Sequence, residues 1–143
     1  MIWMEVFNAG VWTDATDRRV VSIGADTSNR ITLSKSSSAN TINVIMRAGG
    51  TSVSVNIATS STLWLCLGIT WNKVANRIRI YFGGVQQGAD NAYTGVWAGS
   101  LTDAWTRIGS IGGGNFLHGY PSFLMLSSAE ATAEQMAAGA IAT

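Results

Sequence analysis

The chain has 143 residues, with one Cys, one His, one Pro and 16 Gly, and charged residues make up only 12% of it, about half the usual share for a soluble domain. That length fits one domain with a real core, and a formal net charge of +1 excludes the strongly basic field that nucleic acid or an anionic membrane surface demands. One Cys and one His likewise exclude a disulfide framework and the usual zinc centres.

The chain opens on a strand pattern, with Ile2, Met4 and Val6 on one face and Trp3, Glu5 and Phe7 on the other. No basic segment precedes it and Glu5 interrupts it, so it does not read as a signal peptide. Because it begins inside a strand and ends abruptly on Ala140-Ile141-Ala142-Thr143, residues 1–143 are expected to be a single domain truncated at both ends. Residues 19–25 form the next run, closing at Gly24-Ala25-Asp26, and residues 30–34 alternate apolar with polar. Residues 41–47 place Ile42, Val44 and Met46 on one face, Gly49-Gly50 follows, and residues 52–57 alternate without a fault. This is the clearest hairpin in the chain. Residues 63–71 are apolar on both faces, which predicts a central strand covered on both sides; the run is far short of the roughly 18 residues of a membrane helix. Cys66 within it reads as a small core residue.

Residues 77–82 put Ile78, Ile80 and Phe82 on one face and Arg77, Arg79 and Tyr81 on the other. The two arginines are expected to be solvated or to guard a sheet edge. Gly83-Gly84 turns the chain into Val85-Gln86-Gln87, and residues 88–101 read as loop carrying Tyr93 and Trp97. Residues 105–111 read as a strand, Gly112-Gly113-Gly114-Asn115 as a tight turn, and residues 120–126 as the last strong strand. Thr132-Ala133-Glu134-Gln135 is a capping box that starts one short helix. No fixed repeat is present. Many short strands followed by a terminal helix predict an all-β, antiparallel sandwich.

In residues 63–88, Trp64-Leu65-Cys66-Leu67-Gly68-Ile69-Thr70-Trp71-Asn72 followed by Arg77-Ile78-Arg79-Ile80-Tyr81-Phe82-Gly83-Gly84-Val85 resembles the paired-strand pattern of laminin-G-like and concanavalin A-like domains. Ile108-Gly109, the stretch from Phe116 through Leu126, and Ala131 to Met136 are similar to that family's downstream motifs. Val20-Val21-Ser22-Ile23-Gly24 and Ile2-Trp3-Met4 are similar to its upstream strands. The resemblance spans nearly the whole chain in the right order and implies a jelly-roll β-sandwich. Gly83 stands where the family commonly has Asp, and Pro121-Ser122-Phe123 where it has an acidic pair. The family's strands before the first one and after the helix have no counterpart here.

Jelly-roll glucanases need two carboxylates on one strand face, as nucleophile and acid. The eight acids are Glu5, Asp14, Asp17, Asp26, Asp90, Asp103, Glu130 and Glu134, and none forms a Glu-x-Asp-x-x-Glu pattern. His118 is the only histidine, and Gly109-Ser110-Ile111-Gly112 misses the nucleophile-elbow spacing. Gly112-Gly113-Gly114 lacks the Lys-Ser/Thr of a phosphate loop. No catalytic residue is therefore assigned, and the chain is not expected to be an enzyme.

No cofactor is required. Many lectin-like and laminin-G-like domains hold calcium with Asp, Asn and carbonyl groups from rim loops, so the resemblance makes Asp26, Asn29, Asp90 and Asn91 candidate metal ligands, with Asp103 beside them. Of the six tryptophans, Trp3, Trp64 and Trp71 lie in strand patterns and read as core. Trp12, Trp97 and Trp105, with Tyr93, lie in or beside polar loops, where an indole is a ligand platform or a lid over the sandwich edge. These four aromatics and Asp103 form the candidate ligand-binding set. The function that follows is a non-catalytic module recognising carbohydrate or a protein surface through loops at one end of the sandwich. The alternative is a structural or assembly domain of a phage virion or bacterial surface protein, whose charge-poor faces pack in a homo-oligomer or larger particle. Neither nucleic acid binding nor membrane insertion is expected, and the sequence leaves the location unknown, with virion or extracellular placement expected either after assembly or as part of a longer chain.

Overall fold

The computed structural model describes residues 2–8, 15–58, 64–72, 74–75, 77–92, 95–109, 119–126 and 132–136. The strands are β1 (Ile2–Asn8), β2 (Arg18–Asp26), β3 (Asn29–Lys35), β4 (Thr41–Ala48), β5 (Thr51–Ala58), β6 (Trp64–Asn72), β7 (Arg77–Phe82), β8 (Val85–Gln86), β9 (Asn91–Ala92), β10 (Arg107–Ile108) and β11 (Gly119–Leu126). They make two antiparallel sheets, ordered β11-β1-β6-β7-β8 with β9 also on β7, and β10-β2-β3-β4-β5. The chain divides into two compact units, one holding each sheet.

In the first unit, β6 lies between β1 and β7. Leu67, Ile69 and Thr70 are all at most 1% exposed, so this strand is covered on both faces, as its unbroken apolar run predicts. The β7–β8 connection is Gly83-Gly84, with φ of +55° and +79°. A two-residue hairpin of this kind needs positive φ at both central positions and takes Asn, Asp or Gly at the first. Gly83 therefore supports the same turn that an Asp would. Because β7 is an interior strand, Arg79 is no edge guard: its Nε and Nη2 donate to both carboxylate oxygens of Asp90, at 2.7 and 2.9 Å. One helical turn, α1 (residues 133–136), begins as the capping box requires. The Thr132 amide donates to Gln135 Oε1 at 2.9 Å, and the Gln135 amide to Thr132 Oγ1 at 3.2 Å.

In the second unit, the β4–β5 hairpin pairs Ile42 with Ile57, Val44 with Val55 and Met46 with Val53, across Gly49 and Gly50 at φ of +57° and +83°. Ile42, Val44 and Met46 are at most 1% exposed, as are Leu33 and Val21 in the adjacent strands. Alternation thus places one face of this sheet in the core. The opposite face carries Ser22, Arg30, Thr32, Ser34, Asn43, Ile45, Arg47, Ser54 and Asn56, following the same register. Of the strand expected at residues 105–111, only β10 forms among the described residues 105–109, and residues 110 and 111 lie outside the described residues. The Thr102 carbonyl accepts the amides of both Trp105 and Thr106, at 3.1 and 2.8 Å, closing a turn that leaves only β10 to pair with β2. The turn at residues 112–115 and His118 lie outside the described residues.

Candidate functional site

Residues 95–109 belong to the second unit and carry three of the five candidate binding residues, Trp97, Asp103 and Trp105. Trp12 and Tyr93 lie outside the described residues. What holds the segment is a polar hub at the β2–β3 turn. Asp26 closes that turn: its Oδ1 accepts the amides of Ser28 and Asn29 at 2.7 and 2.9 Å, and the Asn29 side-chain amide at 3.1 Å. These donors, the Ser28 amide foremost, hold the Asp26 carboxyl below its ordinary pKa. With its nitrogen so engaged, Asn29 turns its Oδ1 to two distant backbone amides, Gly49 at 3.0 Å and Ala98 at 2.9 Å. One 5%-exposed side chain thereby links the β2–β3 turn, the β4–β5 turn and the Trp97 loop.

Close backbone contact completes the attachment. A Cβ on Gly95 would run into the Ala48 carbonyl oxygen, and one on Gly49 would come within 2.7 Å of the Val96 carbonyl oxygen. Further along, the Thr102 amide donates to the Gly24 carbonyl at 3.0 Å, and the Thr102 hydroxyl to the Ala25 carbonyl at 3.1 Å. Thr106 Oγ1 bonds both the amide and the carbonyl of Gly24, at 3.3 and 3.2 Å. Apart from β10 the segment is a loop in secondary structure, yet it is fixed to rigid strands at several points.

On this frame Trp97 is half-buried, with its indole N–H donating to the Gly99 carbonyl at 3.2 Å. Trp105 is also half-buried, and the Arg30 guanidinium carbon lies 5.1 Å from its ring centroid, a cation–π distance. Gly24 makes this stacking possible. It faces Arg30 across the β2–β3 ladder, and a Cβ there would lie 2.7 Å from that of Arg30. Asp103 is exposed, and its carbonyl accepts Arg107 Nε at 2.9 Å. Sequence reading found the two indoles from their polar surroundings but did not find Arg30 or Gly24, which reach Trp105 only through cross-strand register.

The candidate metal ligands fall into separate groups. Asp26 and Asn29 meet each other in the turn, and their oxygens accept protein N–H groups. Asp90 belongs to the other unit and accepts Arg79 and Gln86 Nε2, the latter at 3.0 Å. The Arg79 hydrogen bond is the main cause holding the Asp90 carboxyl below its usual pKa. Asn91 follows it in β9 and donates to the Ala89 carbonyl at 3.2 Å. A cation would compete with these donors, and no group of three His, Cys, Asp or Glu residues that could hold a metal is present among the described residues.

No protein-family model matches the chain, and no curated protein matches it by sequence. Solved structures do match in fold. The receptor binding domain of botulinum neurotoxin mosaic serotype C/D superposes with a TM-score of 0.74 at 10% identity, over 99% of this chain and 35% of that one. The heptameric SAP-like pentraxin of Limulus polyphemus gives 0.67 at 17% identity, over 97% and 68%. The binding domain of botulinum neurotoxin serotype G gives 0.59 at 13%, over 99% and 35%. The fold is an antiparallel jelly-roll β-sandwich. This chain spans about a third of each neurotoxin domain it matches, and at these identities the likeness concerns architecture alone. No helix among the described residues is long and apolar enough to cross a membrane.

Proposed function

We propose that the chain is a non-catalytic binding module of laminin-G-like, lectin-like type, recognising carbohydrate or a protein surface through the segment at residues 95–109. The observation that carries this reading is the fixing of two partly exposed indoles, Trp97 and Trp105, on a loop tied to the sheet by Asn29, Thr102 and Thr106. A platform held before the ligand arrives loses little entropy on binding, and an indole supplies a broad apolar face to a sugar ring or a side chain. Support also comes from the fold: the neurotoxin neighbours are named as binding domains. No metal is needed for this recognition, and no residue is assigned a catalytic role.

A second reading, a structural or assembly domain of a virion or bacterial surface protein, is favoured by a separate observation. Val96, Leu101 and Ile108, on the same segment, are 68%, 57% and 51% exposed, an apolar display suited to a partner subunit. A glycan array covering neutral and acidic sugars, run beside light scattering, separates the two. A saccharide binder among the array supports the module; no binder together with stable self-association overturns it in favour of assembly.

A further inference from the structure

Arg30 and Arg47 stand directly opposite each other on β3 and β4, both half-buried, on the face of the five-stranded sheet opposite to Ile42, Val44 and Met46. Opposed residues of this kind have Cβ atoms about 4.5–5.5 Å apart, and like charges so placed are destabilising. Yet no carboxylate pairs with either guanidinium among the described residues. Arg47 Nη1 reaches only the Thr27 carbonyl, at 3.5 Å, and Arg30 rests on Trp105. Arg19 belongs to the same cluster, and its own partner is Asp17 at 3.1 Å. Burial first, then the Arg47 and Arg19 charges, draws the Arg30 pKa below its ordinary value. Next to these cations, Ser22 and Thr32 face each other across β2 and β3 on the same face, 0% and 1% exposed. Neither hydroxyl has a hydrogen-bond partner, and Arg30 Nε is likewise buried and unpaired. Buried polar groups are nearly always satisfied, so unpaired donors beside two unneutralised guanidinium groups form a site that lacks an acceptor.

We propose that this Arg30–Arg47 row, with Ser22 and Thr32 beside it, binds the carboxylate or sulfate group of an acidic saccharide. A guanidinium offers paired N–H donors matched to such an oxyanion, and the anion removes the repulsion between the two arginines. Beyond the cations the same face carries Ile45, opposite both Thr32 and Ser54, and then a group of amides and hydroxyls, with Asn43 Nδ2 donating to Ser54 Oγ at 3.0 Å and to Asn56 Oδ1 at 2.7 Å. Such groups suit the hydroxyls of a sugar chain. Nucleic acid fits less well, because the chain's formal net charge of only +1 does not supply the extended basic field that a phosphate backbone demands. The saccharide rests on the binding-module reading above; the oxyanion chemistry does not.

Isothermal titration with oligogalacturonate, sulfated dextran oligosaccharide, neutral dextran oligosaccharide and inorganic sulfate tests the proposal. At least one of the two acidic oligosaccharides is expected to bind, more tightly than inorganic sulfate, with affinity falling as salt is raised. Arg47→Gln should weaken that binding by about tenfold or more while raising the melting temperature, because it relieves a like-charge pair. That opposite movement is not what a structural arginine would give. Arg30→Gln, checked for folding by circular dichroism, should weaken binding likewise. Failure of both acidic oligosaccharides to bind, or binding unchanged in both variants, overturns the proposal. Binding of inorganic sulfate with no gain from either oligosaccharide overturns its saccharide part. Neutral glycans bound on the array with no response here would leave the module reading standing and remove this site alone.

Discussion

Replacing Asn29 by Ala tests whether one side chain holds the Trp97 loop to the sheet. The substitution deletes the acceptor for the Gly49 and Ala98 amides and the donor to Asp26. Each such hydrogen bond contributes about 0.5–1.5 kcal/mol net, and a buried donor left unpaired costs about 1–3 kcal/mol. Gly49 and Ala98 are themselves exposed, so water can recover part of that loss, and about 2–4 kcal/mol remains as the expected destabilisation. For a chain of this size that corresponds to a fall in melting temperature of roughly 6–12 °C. Thermal melts by circular dichroism measure the loss, and hydrogen exchange locates it. The Ala98 amide should lose protection by a larger factor than amides in the middle of β3, such as Thr32. A destabilisation under about 0.5 kcal/mol, the level of an ordinary surface change, would refute the reasoning. So would an Ala98 amide that exchanges as slowly as before.

Other substitutions test other parts of the molecule. Gly95→Ala drives a methyl group into the Ala48 carbonyl and is expected to cost about 1–3 kcal/mol, read as a lower denaturant midpoint with the slope unchanged. The Asp90 carboxyl is held below its ordinary value of 3.8 by Arg79, so the stability it contributes is present above that pH and is lost as pH falls through the lower folded value. Asp90→Asn should therefore flatten that part of the acid limb of a stability profile below pH 4, and an unchanged limb would contradict the pairing. Millimolar calcium is expected to leave the melting temperature unmoved, since the Asp26 and Asp90 oxygens already accept protein donors. A rise that disappears in Asp26→Asn or Asp90→Asn would show instead that a cation displaces them.

Much of the architecture was legible from local pattern. The β4–β5 hairpin, the double-sided burial of β6 and the capping box at Thr132 each depend on neighbours in sequence, where alternation, an apolar run or a three-residue spacing is sufficient. The resemblance of residues 63–88 to a laminin-G-like strand pair led to the jelly-roll class, which the solved structures share. The strand expected from residue 105 onward starts only at Arg107, because composition carries no signal for the Thr102 carbonyl capturing the amides of Trp105 and Thr106. The edge role expected of Arg79 failed because strand order, unlike strand identity, is a long-range property.

The site was legible only in outline. Polar loops around Trp97 and Trp105 marked these two residues. That Asn29 serves two turns and a loop, that Gly24 leaves room for Arg30 to lie on Trp105, and that Arg30 meets Arg47 rather than an acid are facts of register and chain return. Residues 77 or 82 positions apart, as Ala25 and Thr102 or Gly24 and Thr106 are, leave no periodic trace along the chain. The sequence by itself determined which segments alternate and which turn, because those depend on side-chain pattern within a few residues. Tertiary structure decided which charges face each other and which hydroxyls are buried without partners, because strand pairing sets both.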